Sequence, residues 1–352
     1  MEKLKYIKSD NSKKMIILAI ESSCDETSAA IVEMDEEKKI RRIISNKIAT
    51  SLEMHALYGG VVPEIASRAH AEAISALTYE AFKSAMMTMD DIDAIAVTAK
   101  PGLIGALLVG VNFAKSLAYA YNKPLIPVNH IMGHIAACYL EYPELKPPFF
   151  AMVASGGHSS FINVEGYTSA KTVGRTRDDA VGECFDKVAR VMGMPYPGGA
   201  EMDRIAYNGD PGAIKFPSAA IAGDTLDLSF SGIKTSVLNY LNSAAQKGVE
   251  YKREDVAASF TKTVCDSITK RLEDAYKKYH FKKFVLSGGV SANSHLRRAV
   301  TQFGKRHGVE IYMPPLSLCS DNGAMIGAQG YYEFLAGNLA SEDLNPVASC
   351  EI

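Results

Sequence analysis

Two histidines four residues apart, His130 and His134, have the spacing in this chain that points most directly to chemistry. Side chains at i and i+4 of a helix project from one face, and Asn129 just before them is a helix-capping residue type. Two imidazoles on one face suit a shared metal ion, although the same pattern also serves as a polar face or a helix contact. A third ligand must come from elsewhere. Asp321 is the best candidate, in Cys319-Ser320-Asp321-Asn322-Gly323 between a strand-like Ile311 to Met313 and a helix-like run. Its competing reading is the N-cap of that helix. Two histidines and one carboxylate leave coordination positions open for substrate, which is catalytic rather than structural geometry.

A second constellation is acidic. Asp178, Asp179, Glu183 and Asp186 place four carboxylates within nine residues, followed by Tyr196-Pro197-Gly198-Gly199. They read as general bases, metal-linked groups or hydroxyl acceptors, or equally as a solvated helix face. Three further loops, Ser22 to Thr27, Ser155 to His158 and Ser287 to Asn293, are rich in Gly and Ser. Such loops let backbone N–H groups approach an anion, while any one of them alone is an ordinary turn. Neither a Walker A motif nor G-x-G-x-x-G occurs, which argues against a P-loop or Rossmann nucleotide site.

The elements that must carry these loops repeat. Met15 to Ile20 is an apolar strand that breaks at a polar loop and resumes at Ser28 to Val32; Phe149 to Ala154, its loop and Phe161 to Val164 repeat the pattern. Ala94 to Val97 leads through Pro101-Gly102 into a helical stretch ending near Tyr121, and Phe284 to Leu286 leads through Gly288-Gly289 into one from His295 to Phe303. Each half thus holds a hairpin, then a strand, a glycine turn and a helix, which predicts an internal duplication and an α/β fold of two lobes around a cleft. The second half carries extra sequence from about Thr172 to Tyr251.

Composition sets the outer bounds. With 352 residues, 47% of them hydrophobic, and a net charge of −2, the chain is neither disordered nor basic all over. At this length two cores are favoured over one. The six cysteines form no C-x-x-C pair, which reads as reduced cytosolic thiols. The start of the chain lacks the apolar core of a signal peptide, and the longest apolar stretch, Pro101 to Ala114, falls short of a membrane span, so a cytoplasmic protein is expected. The charge is unevenly spread. Tyr251 to Glu310 holds thirteen Lys and Arg against six Asp and Glu, leaving +7 there and −9 in the rest. Lys277, Lys278, Lys282, Lys283, Arg297 and Arg298 are therefore candidates for nucleic-acid binding, with solvated helix faces as the alternative.

Together these motifs resemble the bacterial-type tRNA threonylcarbamoyladenosine transferases, the TsaD or Gcp family, formerly called O-sialoglycoprotein endopeptidases. The resemblance runs from Met15 to about Gly337. It rests on Glu21 to Thr27, Tyr58 to Glu64 with Ser67-Arg68 and His70, Pro101 to Gly105, His130 with His134, Ser155 to His158 and Asp178 to Lys187. It continues through Pro197 to Gly199, Ser229 to Gly232, Gly288 to Asn293 and Asp321 to Met325. The resemblance implies a duplicated actin-like ATPase (ASKHA, ribonuclease H-like) fold, with a polar extension (1–14), an N-terminal lobe (15–128) completed by helix 322–340, a C-terminal lobe (129–321) with its insertion at about 172–250, and a tail (341–352). It also implies that His130, His134 and Asp321 hold one iron or zinc ion. The adenylate substrate is then contacted by Val153, Ala154, Ser155, Gly156 and Gly157, and by Asp186, Gly199, Asp203 and Asn293. The implied reaction moves a threonylcarbamoyl group from threonylcarbamoyl-AMP to N6 of the adenosine 3′ of the anticodon in tRNAs reading ANN codons, releasing AMP. The implied partners are a fold-related TsaB-like paralogue and a small TsaE-like P-loop ATPase, with no membrane.

The chain departs from the family pattern at Met132, where an acid is usual between the histidines, at Lys100, where glycine is common, and at Ser159-Ser160. Three rival readings compete. An ATP-dependent phosphotransferase or ATPase of the same fold gives the two histidines no duty. A metalloprotease lacks the glutamate of H-E-x-x-H, its place being taken by Ile131. A non-enzymatic scaffold would not be expected to keep all three metal residues.

Overall fold

The computed structural model describes residues 14–350 and 352; the extension read over 1–14 lies outside them except for Lys14. In chain order the elements are β1 (Met15–Glu21), β2 (Glu26–Asp35), β3 (Ile40–Thr50), a short α1 (Leu52–Ala56), α2 (Pro63–Ala85), β4 (Ala94–Lys100), α3 (Ile104–Ala120), β5 (Leu125–Asn129) and α4 (His130–Glu141). They continue with β6 (Phe149–Ala154), β7 (Ser159–Gly166), β8 (Ser169–Arg175), α5 (Val181–Val191), α6 (Gly199–Ala206), α7 (Ser231–Lys247), α8 (Arg253–Tyr279), β9 (Lys283–Ser287), α9 (Ser294–His307), β10 (Glu310–Tyr312) and α10 (Gly323–Leu335).

The strands form two five-stranded sheets, ordered β3-β2-β1-β4-β5 and β8-β7-β6-β9-β10. In each, three antiparallel strands are extended by two parallel ones, so the duplication read from the sequence is a duplication of topology. The central strands β1 and β6 are nearly unbroken apolar runs because both faces of each sheet are covered. Strand β2 begins at Glu26, two residues earlier than its polar composition predicts, since Glu26 and Thr27 pair with Thr50 and Ala49. Ladder pairing outweighs residue type there.

The chain packs as two compact units. The first comprises the described residues of Met1–His55, Val61–Lys146 and Asp321–Glu351; the second comprises Ala56–Gly60, Pro147–Ser320 and Ile352. Helix α4 therefore belongs with the first sheet, where a boundary at residue 129 would assign it to the second half. The reason is burial: α4 is covered from His130 to Leu140, and a helix apolar all round needs partners on every side. The tail follows the first unit too, with Ala340 bonded to Leu125 and Val347 to Ala99. The second unit is built around an aromatic core in which Phe150 stacks on Phe281 at 4.8 Å. Helices α5, α6 and α7 fill the sequence read as an insertion. No described helix is long and apolar enough to cross a membrane.

Helix α10 lies against the first sheet through glycines. A Cβ on Gly323 would stand 2.8 Å from the Ala30 backbone nitrogen, and one on Gly327 2.5 Å from a Val32 methyl. Overpacking such a contact costs roughly 1–3 kcal/mol. Gly323→Val is accordingly expected to lower unfolding stability by about that amount in urea titration, and a wild-type midpoint would contradict this packing.

Candidate active site

Strand β5 delivers the chain to α4, whose first residue is His130. The Asn129 side chain accepts the Ile131 and Met132 N–H groups, so the cap expected from sequence is formed. One turn on, His134 lies beside His130 with ring centroids 4.6 Å apart. Asp321 reaches both: its Oδ1 is 3.2 Å from His134 Nε2 and 3.5 Å from His130 Nε2. The competing N-cap reading of Asp321 is resolved by its neighbour. Asn322 caps α10 by accepting the Met325 N–H, which leaves the Asp321 carboxylate to face the histidines.

The donor set fits a metal ion. His134 is fully buried, and apart from the Asp321 Oδ1 contact at Nε2 neither ring nitrogen makes a well-formed hydrogen bond, an arrangement that costs about 1–3 kcal/mol unless something satisfies it. One ligand atom from each of His130, His134 and Asp321 lies within 4.8 Å of the others. Glu21, at the end of β1, supplies the outer partner. Its Oε2 is 3.1 Å from His130 Nδ1, which keeps a proton on Nδ1 and turns Nε2 toward Asp321. Glu21 also accepts from the Thr98 hydroxyl at 2.6 Å and the Ser23 N–H at 2.5 Å.

The electrostatics lean the same way. Burial would lower the His130 imidazolium, but the Asp321 and Glu21 carboxylates outweigh it and push it up to about 9. Burial and the carboxylates of Asp321, Asp25 and Glu21 push Glu26 up to about 10. Negative charge is thus in excess here, and a cation relieves it. Burial, with Asp25 and Asp321, pushes the Cys24 thiol up, so it is not poised as a thiolate nucleophile. Met132 is buried and brings no acid between the histidines.

The loops named for substrate gather in the second unit. Strands β6 and β9 are parallel neighbours, so Val153–Gly157 and Ser287–Asn293 leave the same edge side by side. Gly288, at φ +88°, has the place of its Cβ 2.4 Å from the Ala154 carbonyl, a conformation and an approach that only glycine allows. Gly156 and Gly157 are exposed with open space around them. Helix α5 starts against this turn, Gly182 N–H donating to the Ser155 carbonyl and Val181 N–H to the Ser159 hydroxyl. The serine at 159, a departure on sequence grounds, thus supplies a hydroxyl that the fold uses. Asp186 accepts the Gly198 and Gly199 N–H groups, and Asp203 accepts from Ser294 N–H and His295 Nδ1. Asn293 caps α9 through Leu296 N–H. These three polar residues are therefore engaged with the protein while lying around the same loops.

The remaining acids are structural. Asp178 accepts from the Ser229 and Ser231 hydroxyls and from Phe230 N–H, and Asp179 pairs with Lys187 and Lys234. Burial opposes ionisation of Asp178, but those donors hold its carboxyl below the usual range.

The proposed cations divide. Arg297, half-buried, donates from its guanidinium to the Ser291 and Pro314 carbonyls at 2.6 and 2.5 Å and to Cys319 Sγ at 3.3 Å, so it ties loops together. Arg298 lies 5.4 Å over the exposed Tyr207 ring, beside the start of α9. Lys277, Lys278, Lys282 and Lys283 sit at the end of α8 and the start of β9, the far end of that strand from Ser287. Sequence reasoning missed Glu21 as a partner of His130, and its only signal was an acid ending a strand that is otherwise apolar.

A duplicated α/β fold with a two-histidine, one-carboxylate ligand set defines a class, and solved structures place it among actin-like ATPase folds. Component A of (R)-2-hydroxyglutaryl-CoA dehydratase from Acidaminococcus fermentans matches with a TM-score of 0.53 at 16% identity, covering 92% of this chain and 99% of that one. Full-length HypF, in its phosphate- and nucleotide-bound form, matches with a TM-score of 0.59 at 16% identity, over 91% of this chain and 46% of that one. At such identities the likeness is one of fold.

The chain belongs to the TsaD family, tRNA N6-adenosine threonylcarbamoyltransferase, whose family model matches residues 42–328. Curated relatives of that name are 52% identical over 336 residues in Clostridium botulinum (strain 657 / Type Ba4), with 96% of this chain and 97% of the relative covered. In Clostridium novyi (strain NT) the identity is 49% over 342 residues, with 97% and 99% covered. The chain is a transferase that modifies tRNA.

His134→Ala is expected to cut metal affinity by more than the roughly 10–100-fold typical of losing an outer partner, with transfer abolished and far-UV circular dichroism unchanged. Full metal occupancy in that variant would refute the ligand assignment.

Proposed function

We propose that this transferase takes threonylcarbamoyl from threonylcarbamoyl-AMP and places it on N6 of the adenosine 3′ of the anticodon in tRNAs reading ANN codons. In this reaction the N6–carbonyl bond forms, the bond from the carbonyl carbon to the phosphate oxygen breaks with its electron pair leaving on AMP, and N6 gives up a proton. The observation that carries the reading is the convergence of His130, His134 and Asp321 beside a carboxylate that orients His130, in a chain of this family.

His130 and His134 would hold iron or zinc through their imidazoles, and Asp321 would hold it through its carboxylate. When bound, the metal supplies Lewis-acid stabilisation of developing negative charge. The other residues position. The backbone of Val153, Ala154, Ser155, Gly156 and Gly157 receives the adenylate, and what supports this is the open space at Gly156 and Gly157. Gly199, Asp186, Asp203 and Asn293 flank it. Adenine N6 is a weak nucleophile, so holding it in line with the carbonyl carbon is the main contribution such a site makes. No side chain is assigned as a covalent nucleophile.

The enzyme works in the cytoplasm with a TsaB-like paralogue and a TsaE-like ATPase, partners implied by family resemblance. Mass spectrometry of nucleosides from unmodified tRNA incubated with threonylcarbamoyl-AMP and this protein, with and without those partners, tests the reading. Threonylcarbamoyladenosine is the expected product. Its absence in every combination, with ATP consumed on a polyol instead, would replace this reading with a kinase.

Lys277, Lys278, Lys282, Lys283 and Arg298 contribute to tRNA binding on this proposal. Reversing Lys282 and Lys283 to Glu is expected to weaken binding and reduce the salt slope by roughly one per lost phosphate contact. An unchanged affinity and slope removes both lysines from the interface.

A further inference from the structure

The loop between β1 and β2 bears on the metal ligands at one end and is fastened by buried histidines at the other. At the ligand end, Glu21 Oε2 and Ser23 Oγ each lie 3.1 Å from His130 Nδ1. At the other end is His70 on α2, 1% exposed, with Nε2 2.9 Å from the Cys24 carbonyl and Nδ1 2.6 Å from Thr27 Oγ1. A carbonyl only accepts, so Nε2 carries the proton and Nδ1 accepts from the Thr27 hydroxyl. The next carbonyl, of Asp25, accepts from both the N–H and the hydroxyl of Ser51, at 3.0 and 2.9 Å. His55, fully buried, stands behind Ser51. Its Nδ1 accepts the Val62 N–H at 3.3 Å, so Nε2 carries the proton that reaches Ser51 Oγ at 2.9 Å.

Each imidazole is thus used at both nitrogens, His70 directly on the loop and His55 through Ser51. A histidine that merely filled space would leave this satisfaction to chance, and buried polar groups are costly when unmatched. Of the neighbouring motif residues on α2, Ser67 donates to the Pro63 carbonyl and packs beside Gly105 of α3, and the exposed Arg68 pairs with Glu64. His70 alone of that motif reaches the loop.

We propose that His70, backed by His55 and Ser51, is a positioning residue for the metal centre. It touches no ligand. It fixes the Cys24–Thr27 backbone so that Ser23 and Glu21 stay on His130. The inference rests on His130, His134 and Asp321 holding metal, and gives the Ser67-Arg68-x-His70 motif a function it otherwise lacks.

The test uses the full-length protein loaded with Co²⁺ in place of its native metal, because the visible bands of Co²⁺ report ligand geometry whether or not transfer occurs. H70A is expected to weaken Co²⁺ binding roughly 10-fold and to change the bands, as loss of an outer partner does. H70Q, whose amide donates to Cys24 and accepts from Thr27, is expected to recover most of both. T27V keeps the volume and removes one hydrogen bond, so it is expected to shift the bands the same way by less, and it serves if H70A does not fold. Unchanged affinity and bands in H70A or T27V, or a glutamine variant as weak as alanine, overturns the proposal. Failure of the transferase reading would leave the Co²⁺ shifts standing, so the two are distinguishable.

Discussion

The first unit depends on one buried carboxylate. Glu21 is fully buried, and an ionised carboxylate in that position is sustained only by donors around it. It has three, from Thr98 on β4, from Ser23 in its own loop and from His130 on α4. Those contacts tie two neighbouring strands, the loop between β1 and β2 and the ligand-bearing helix to a single atom pair. Burial opposes the charge, but His130 outweighs it and holds Glu21 below the ordinary carboxylate range. The same contact decides which nitrogen of His130 faces Asp321, so one interaction serves both packing and ligand geometry.

Capping by asparagine is the second economy. Helices α4 and α10 both begin with an Asn side chain satisfying the first free N–H groups, Asn129 and Asn322. Because the amide does that work, the side chains of His130 and Asp321 beside these caps face each other. An aspartate that had to cap its own helix would have its carboxylate turned to the backbone. Close approach through Gly323 and Gly327 then holds α10 against the sheet, and with it the position of Asp321.

The second unit repeats the topology and turns it to another use. Where β1 ends in a buried acid, its counterpart β6 ends at Ala154 and leads into Ser155 and exposed glycines. Where the first unit meets a histidine helix, the second brings two glycine-bearing turns together at Ala154 and Gly288. Asp178 and Asp186 bind the inserted helices to one another through backbone N–H groups, and Asp203 ties α6 to the start of α9. Duplication thus supplied two frames, and the loops at the strand ends diverged into a ligand set and a set of open backbone turns.

Much of this was legible in the chain itself. Period-2 and unbroken apolar runs marked the strands, the i,i+4 histidines marked a shared helix face, and repetition of hairpin, strand, turn and helix marked the duplication, because each follows from local geometry. Which acid would stand beside the histidines was a choice that sequence left open, and folding placed Asp321 there while Asn322 took the cap. Tertiary structure alone assigned α4 to the first unit, turned Arg297 onto carbonyls and linked Glu21 to His130 across 109 positions. Residue type and spacing determine which groups are present and which share a face. Only folding decides which distant donors meet a buried charge, since the cost of leaving it unmet is set by burial, and burial is a property of the whole packed chain.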